Sequence, residues 1–444
     1  MMKRTAILFT VILVFLSAQS AGALELGSEG QVSIHGFITQ GYLLSSDNKF
    51  FGDTDNGGTY HFNERGINFT SDVSDRLRLG IQFFSRDFGN LGNNDVTIDW
   101  AYADYSFTEW ANFRAGKLKM PQGLYNTSRD VDMLRTSVLL PQSVYNEGWR
   151  DSINALNGFE YYGYAPAGKV GSFEYHFLGG VNQFEDDGPE MRLLEDQFPI
   201  YLGVDVSNNK VDRTYVGSVL WESPLEGLSF GLSGWEMNFN ADITSTPDGS
   251  VTIPPELQKD PSTIEVTQTG WTTSLQYAVG DFVFSTEYNR INYEMVSPGY
   301  IPEDSPAADF DSEGYYGMIT YRFTDWFEVG TYYSEYYANR DDKDGEDAAK
   351  RWADSGGLAG GYPPGQEHRA YLKDLALSLR FDITENWILK LEGHKMRGGA
   401  IMLNSDGNTD FYPSNAMGVV DGQIEGPSYT KDWELYTAKV SFSF

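Results

Sequence analysis

The sequence has no cysteine in 444 residues, which removes disulfides, thiolate metal sites and cysteine nucleophiles together. Positive charge is scarce too: 32 Lys and Arg stand against 63 Asp and Glu, a net charge of −31. A chain this acidic is a poor partner for phosphate backbones, which bind through lysine and arginine, so no nucleic acid is expected. No run of about 20 apolar residues, the length a spanning helix needs, occurs anywhere. The sequence also lacks H-E-x-x-H, G-x-S-x-G and P-loop motifs. Its five histidines, His35, His61, His176, His368 and His394, lie far apart. We expect no enzymatic activity, no cofactor and no metal site.

What is present begins with a leader. Lys3 and Arg4 precede an apolar run from Ala6 to Leu16, and Ala21, Gly22 and Ala23 form a small-residue cleavage site. Residues 1–23 therefore read as a secretory signal peptide, leaving 24–444 as the exported chain. Cleavage removes two cations, so the charge of −31 becomes −33. Without a helical anchor, the product is either soluble outside the cytoplasm or a β-barrel. Mean hydropathy of −0.40 does not exclude the barrel, because such a wall shows lipid only every second residue.

Two-residue alternation decides between these. It is clearest at the end, where Val440, Phe442 and Phe444 alternate with Lys439, Ser441 and Ser443. Candidate strands are 31–44, 60–71, 76–88, 95–107, 111–119, 156–165, 172–183, 211–222, 228–240, 265–278, 282–295, 313–323, 326–338, 369–381, 387–397 and 433–444. Every second connection is a tight turn and most of the others are longer and polar. Short turns at one end and loops at the other predict an all-β, antiparallel transmembrane barrel of sixteen strands. Aromatics gather at the tight turns, among them Trp110, Phe113, Phe282, Trp326, Phe381, Trp387 and Phe442, as a girdle at one membrane interface would.

At about sixteen strands a barrel is too wide for its own side chains to fill and encloses water. The segment from 120 to 155 is the least polar of the long connections, carrying Leu124, Val131, Leu134, Val138, Leu139, Leu140, Val144 and Tyr145. An outer loop in solvent would leave that surface uncovered, so we expect it inside the barrel.

Arg114-Ala-Gly-Lys117, Pro121-Gln-Gly123-Leu-Tyr-Asn126, Arg129-Asp130-Val131 and Leu140-Pro-Gln-Ser-Val-Tyr145 resemble the fifth strand and constriction loop of Gram-negative trimeric porins. The likeness is greatest to porins related to the phosphate-selective type. It implies an outer-membrane homotrimer among lipid and lipopolysaccharide, passing small hydrophilic solutes or ions by passive diffusion. Position in that loop places Arg129, Asp130, Asp132, Arg135, Arg150 and Asp151 at the pore constriction, unless Arg129 and Asp132 pair to pin it. Strand parity adds pore-wall charges: Arg78, Arg114, Arg380, Lys390 and Lys439 around the closure seam, with Glu160, Glu174 and Glu287 on intervening strands. Such an asymmetry would set a transverse field.

Three functions follow from that reading. A general diffusion porin comes first. An anion- or phosphate-selective channel of the same fold is the alternative, weakened because lumenal cations are mixed with carboxylates. A barrel sheathing another protein is the third, and an inward loop would obstruct its guest. Two acidic stretches, 341–347 and 404–410, have partial calcium-loop spacing. In the first, Arg340 occupies the first ligand position and no closing glutamate follows, so a solvated turn is expected.

Overall fold

The computed structural model of the chain describes residues 32–89, 91–182, 204–245, 262–297, 309–354, 361–401 and 429–444, with short pieces at 24–26, 418–420 and 423–425. The expected leader, 1–23, and the acidic stretch 404–410 lie outside the described residues. Sixteen long strands run in chain order: β1 (Val32–Ser45), β2 (Phe62–Ser74), β3 (Leu77–Phe88), β4 (Thr97–Thr108), β5 (Ala111–Lys119), β6 (Ala155–Pro166), β7 (Ser172–Val181) and β8 (Val204–Glu222). They continue as β9 (Leu228–Ser245), β10 (Ser262–Val279), β11 (Phe282–Val296), β12 (Asp309–Thr324), β13 (Phe327–Tyr337), β14 (Tyr371–Asp382), β15 (Trp387–Gly398) and β16 (Asp432–Ser443). Each pairs antiparallel with its neighbours, and β16 returns to β1, so the sheet closes and leaves no open edge. The sixteen-strand antiparallel barrel expected from alternation is what the chain forms.

Closure is sealed at the terminus. Phe444 and Gly36 exchange backbone hydrogen bonds of 3.0 and 3.1 Å, and the Phe444 ring lies where a Cβ on Gly36 would be, 2.7 Å away. Only glycine admits that ring. Tight turns close the other strand ends at this level; Gly280, at φ 59°, starts the two-residue turn between β10 and β11.

Parity assigns the two faces as the alternation predicted. On β11, Phe282 and Phe284 face out and exposed, while Ser285, Glu287 and Asn289 face in and are buried. On β14, Leu375 and Leu377 face outward and are exposed while Asp374, Ala376 and Ser378 are buried inside. Near the tight turns, outward rings cluster: Trp326 with Phe327 and Phe381, Trp387 with Phe442, and Phe442 with Phe444.

The third long connection, residues 120–154 between β5 and β6, folds into the lumen. Two 3₁₀ turns, Asn126–Ser128 and Asp132–Leu134, and a short helix, Arg150–Asn154, are its only regular elements. Val138 and Leu139 join an interior apolar cluster with Leu43, Phe50, Phe62, Leu372, Trp433 and Leu435. Leu140, Val144 and Tyr145 pack on Tyr316 of β12. The apolar load that made this segment unlike a solvent loop is mostly buried against the barrel wall.

Candidate functional site

The inward loop is the candidate site, and its charges explain how it stays there. Asp132, at the start of the second 3₁₀ turn, is buried against the seam strands. Its carboxylate lies 3.0 Å from Lys390 Nζ, 3.2 Å from Lys439 Nζ and 3.5 Å from Arg135, and Ser441 donates to it at 2.7 Å. Lys390 also donates to the carbonyls of Asp132 and Ser137, at 2.7 and 3.2 Å. Burial disfavours the charged carboxylate, yet Lys390, Lys439 and Arg135 outweigh it and hold its pKa well below the usual range.

A second group of charges holds the base of the loop. Arg129 pairs with Glu147 at 2.8 Å, and Glu147 reaches Arg86 of β3 at 3.0 Å. Asp130 binds both Lys119 and Arg150, and Arg150 lies 3.5 Å from Glu64 of β2. Burial works against ionised Glu147, but Arg129, Arg150 and Arg86 bring its pKa down to about 2.

Backbone groups supply the rest. Glu392 of β15 accepts the N–H groups of Val138 and Leu139 at 2.8 and 2.9 Å, and Glu287 of β11 accepts that of Leu124 at 2.9 Å. Arg380 of β14 donates to the carbonyls of Met133 and Arg135 at 2.8 and 3.2 Å. The loop lies directly on Gly314 of β12, where a Cβ would come 1.9 Å from the Ser143 carbonyl oxygen.

These positions revise the reading of individual residues. Arg129, Asp130, Asp132 and Arg150, expected at a constriction, lie on the inward loop and are buried in ion pairs, because a loop inside a barrel must attach its polar groups to the wall. Arg129 pairs with Glu147, not with Asp132. Arg135 is largely buried beside Asp132, and the side chain of Asp151 lies outside the described residues. Lys390, Lys439 and Glu287, expected as wall charges, are buried beneath the loop as its anchors. Arg380 also reaches under it.

Of the other expected wall charges, Glu160 is buried, whereas Arg114, Glu174 and Arg78 keep more exposure. Arg114 pairs with Asp104 at 2.9 Å and Glu160 at 3.1 Å, its guanidinium stacked over the Tyr102 and Tyr162 rings. His176 bridges Glu160 and Glu174 at 2.8 and 2.9 Å. Arg78 stands more exposed, 3.8 Å from Asp72. Charges of both signs are therefore adjacent, which cancels much of the transverse field that strand parity alone suggested.

Sequence reasoning missed which loop residues face solvent. Within 120–150 these are Thr127, Val131 and Leu134, the last with 68% of its surface accessible. The loop thus turns its charges to the wall and a neutral edge to the lumen. A sequence signal existed, since Val131 and Leu134 alternate with the charged residues Asp130, Asp132 and Arg135. In the stretch 341–347, Asp342 accepts the N–H groups of Asp347 and Ala348 at the start of the helix Glu346–Asp354, so it serves as a helix cap.

No protein-family profile and no curated protein matches the sequence. Solved structures do match in fold. An anion-selective porin from Comamonas acidovorans is 13% identical with a TM-score of 0.54, covering 93% of this chain and 99% of its own. The outer-membrane channel DcaP of Acinetobacter baumannii is 12% identical with a TM-score of 0.53, covering 95% and 99%. The trimer form of OmpT, an outer-membrane protein of Vibrio cholerae, is 12% identical with a TM-score of 0.51, covering 93% and 99%. The chain has the porin fold over nearly its whole length.

Proposed function

We propose that this barrel is an outer-membrane porin, a water-filled channel through which small hydrophilic solutes and ions diffuse passively. The observation that carries the reading is the third long loop, folded into a closed sixteen-strand barrel and clamped to its wall by ion pairs and hydrogen bonds. A structural plug needs no such shaping, and a sheath for a guest protein would be obstructed by it. The fold shared with an anion-selective porin and with DcaP supports the same reading.

Weak selectivity is the expected behaviour. Ion pairs neutralise the loop's arginines, and the accessible edge is Thr127, Val131 and Leu134. Screening over about 8 Å at physiological salt keeps the acidic outer loops from acting on ions at that edge. The anion-selective alternative would need unpaired cations on the path, which Arg129 and Arg150 do not supply.

A homotrimer fits the outer wall. Ala101, Ala103 and Ala115 on β4 and β5 leave a shallow apolar groove of about 550 Å³ beside Leu79 and Ile81. One of the structural neighbours is itself described as a trimer.

The test is a planar bilayer recording with the purified protein. Stepwise currents in groups of three, with a reversal potential near zero across a salt gradient, are expected. Strong anion preference that disappears in Arg135→Ala would favour the selective alternative, and a protein that never conducts would overturn the channel.

A further inference from the structure

The lumen wall is covered on one side and open on the other. Under the inward loop, the inward side chains of the seam strands Lys390, Lys439, Ser378, Thr437 and Ser441 are all buried. Half-way round the barrel, on β5–β7, the inward Arg114, Tyr164 and Glu174 are 26%, 42% and 48% exposed near the tight turns. Water reaches the wall there.

That open wall is built of flat groups held in fixed positions. One side chain from each of four neighbouring strands forms a column: Tyr102 of β4, Arg114 of β5, Tyr162 of β6 and His176 of β7. The guanidinium lies 4.8 and 4.5 Å from the two tyrosine rings, and Tyr162 stacks on His176 with ring centres 5.7 Å apart and planes within 5°. Asp104 accepts from Arg114 at 2.9 Å and from the Tyr162 hydroxyl at 2.8 Å. Glu160 accepts from Arg114 at 3.1 Å and from His176 at 2.8 Å. Tyr102 is seated across Gly80 of β3, where a Cβ would come 3.1 Å from its ring. The ladder hydrogen bonds already join β4 to β7, so this fixing exceeds what the wall needs. Groups ordered in advance cost little entropy when a solute arrives.

The charges exclude an ion as the preferred guest. Arg78 and Asp72 cancel each other. The remaining charged groups facing in below the loop clamp on β2–β8 are Asp104, Glu160, Glu174 and Glu222 against Arg114 and His176, whose two ring nitrogens both face carboxylates. An excess of two negative charges repels anions. Among the described residues, no three carboxylate or imidazole groups converge as a metal site. What the wall offers is acceptors and donors side by side: the Glu174 carboxylate next to His176, Arg114 and the tyrosine hydroxyls. A molecule with many hydroxyls satisfies both kinds at once, and its C–H groups pack on the exposed Tyr164 ring.

We propose that this strip of β4–β7 is a binding site for a neutral polyhydroxylated solute, a mono- or disaccharide. Glu174 and Tyr164 contact the solute, and the clamped column of Tyr102, Arg114, Tyr162 and His176 presents a fixed surface behind it. The inference rests on the channel reading above, which makes the open side of the lumen the path.

The probe is sucrose, added to both sides of a planar bilayer holding the full-length protein. A bound sugar hinders ions, so the current should fall to a plateau, and the half-blocking concentration reports affinity. Loss of a hydrogen bond to a charged group costs about tenfold and to a neutral one about fivefold, so Glu174→Gln and Tyr164→Phe should raise that concentration by these factors. Glu236→Gln on β9, outside the strip, should leave it unchanged. Polyethylene glycol of equal mass should lower the current without a plateau. Sucrose block that never saturates, or equal half-blocking concentrations in the native protein and both strip variants, would overturn the site. Stronger block by inorganic phosphate or by a diamine would overturn the assignment to a neutral solute. Saturation-transfer NMR with sucrose is recorded on the same protein in detergent. A conducting protein with no sucrose signal sinks the strip alone, whereas a non-conducting protein sinks the channel and leaves the NMR of native and variant proteins to decide the strip.

Discussion

Replacing Asp132 by alanine should release the middle of the inward loop while leaving the barrel intact. In the native protein this carboxylate holds three cations and a hydroxyl from β15, β16 and the loop itself. Its removal leaves Lys439 with Glu64 at 2.9 Å, but leaves Lys390 fully buried with only carbonyl acceptors. Breaking one side of a buried pair costs about 3–5 kcal/mol, because the remaining charge has lost both water and partner. At about 1.4 kcal/mol per decade, the docked-to-undocked ratio of the Asp132–Ser137 segment falls by on the order of 10²- to 10⁴-fold. Glu392 and Glu287 still hold the flanking parts, so undocking is local. Single-channel recordings should then show larger and noisier steps, with barrel resistance to heat and detergent little changed. Adding Lys390→Met removes the stranded charge and should recover much of the quiet native state, since an apolar replacement of a buried pair is often neutral. Native-like conductance and noise in Asp132→Ala would refute the idea that this ion cluster docks the loop.

The loop can also be displaced without touching a charge. In Gly314→Val the added side chain collides with the Ser143 carbonyl, an overpacking of about 1–3 kcal/mol, and altered conductance with normal barrel assembly is expected; unaltered currents would mean that the loop does not rest there. Leu134→Glu should shift the reversal potential toward cations and Leu134→Lys toward anions, and identical potentials in both would place Leu134 off the ion path. For pH, Glu147 has its pKa lowered from about 4.3 in an unfolded chain to about 2. Its contribution to loop docking is complete above the unfolded value and is lost as pH falls toward 2, so conductance controlled by this clamp should be constant from pH 5 to 8 and change only in acid. A transition near neutrality that survives in Glu147→Gln would assign the pH response to another group.

The barrel was legible because its physics repeats. Every strand obeys the same two-residue rule, so an error in one strand is corrected by its neighbours: sixteen strands are legible, although β8, β9 and β12 run seven, five and four residues further toward the long loops than the alternation showed. The inward position of 120–155 was legible for a different reason: Val138, Leu139, Leu140 and Tyr145 needed cover that solvent does not provide. The destinations of individual charges were not. Asp132 meets Lys390 and Ser441, partners 258 and 309 positions away, and parity says only that the lysine points inward. Whether an inward lysine meets water or a loop depends on the path of a segment with almost no regular structure.

A loop that crosses a lumen leaves strand hydrogen bonding and must satisfy its own polar groups, so it draws ionised side chains from the wall toward itself. Glu392 accepts two loop N–H groups, Glu287 one, and Arg380 covers two loop carbonyls. The most strongly charged residues of the inward loop are therefore those most firmly committed to structure, and on the channel reading they make poor determinants of selectivity. On the channel reading, a passing solute would meet the remainder at the loop edge, Thr127, Val131 and Leu134. Substitution at Leu134 should consequently change selectivity more than substitution at Arg129. The reverse ranking, measured as reversal potentials in variants whose loops remain docked, would show that buried ion pairs still project enough field to govern the path.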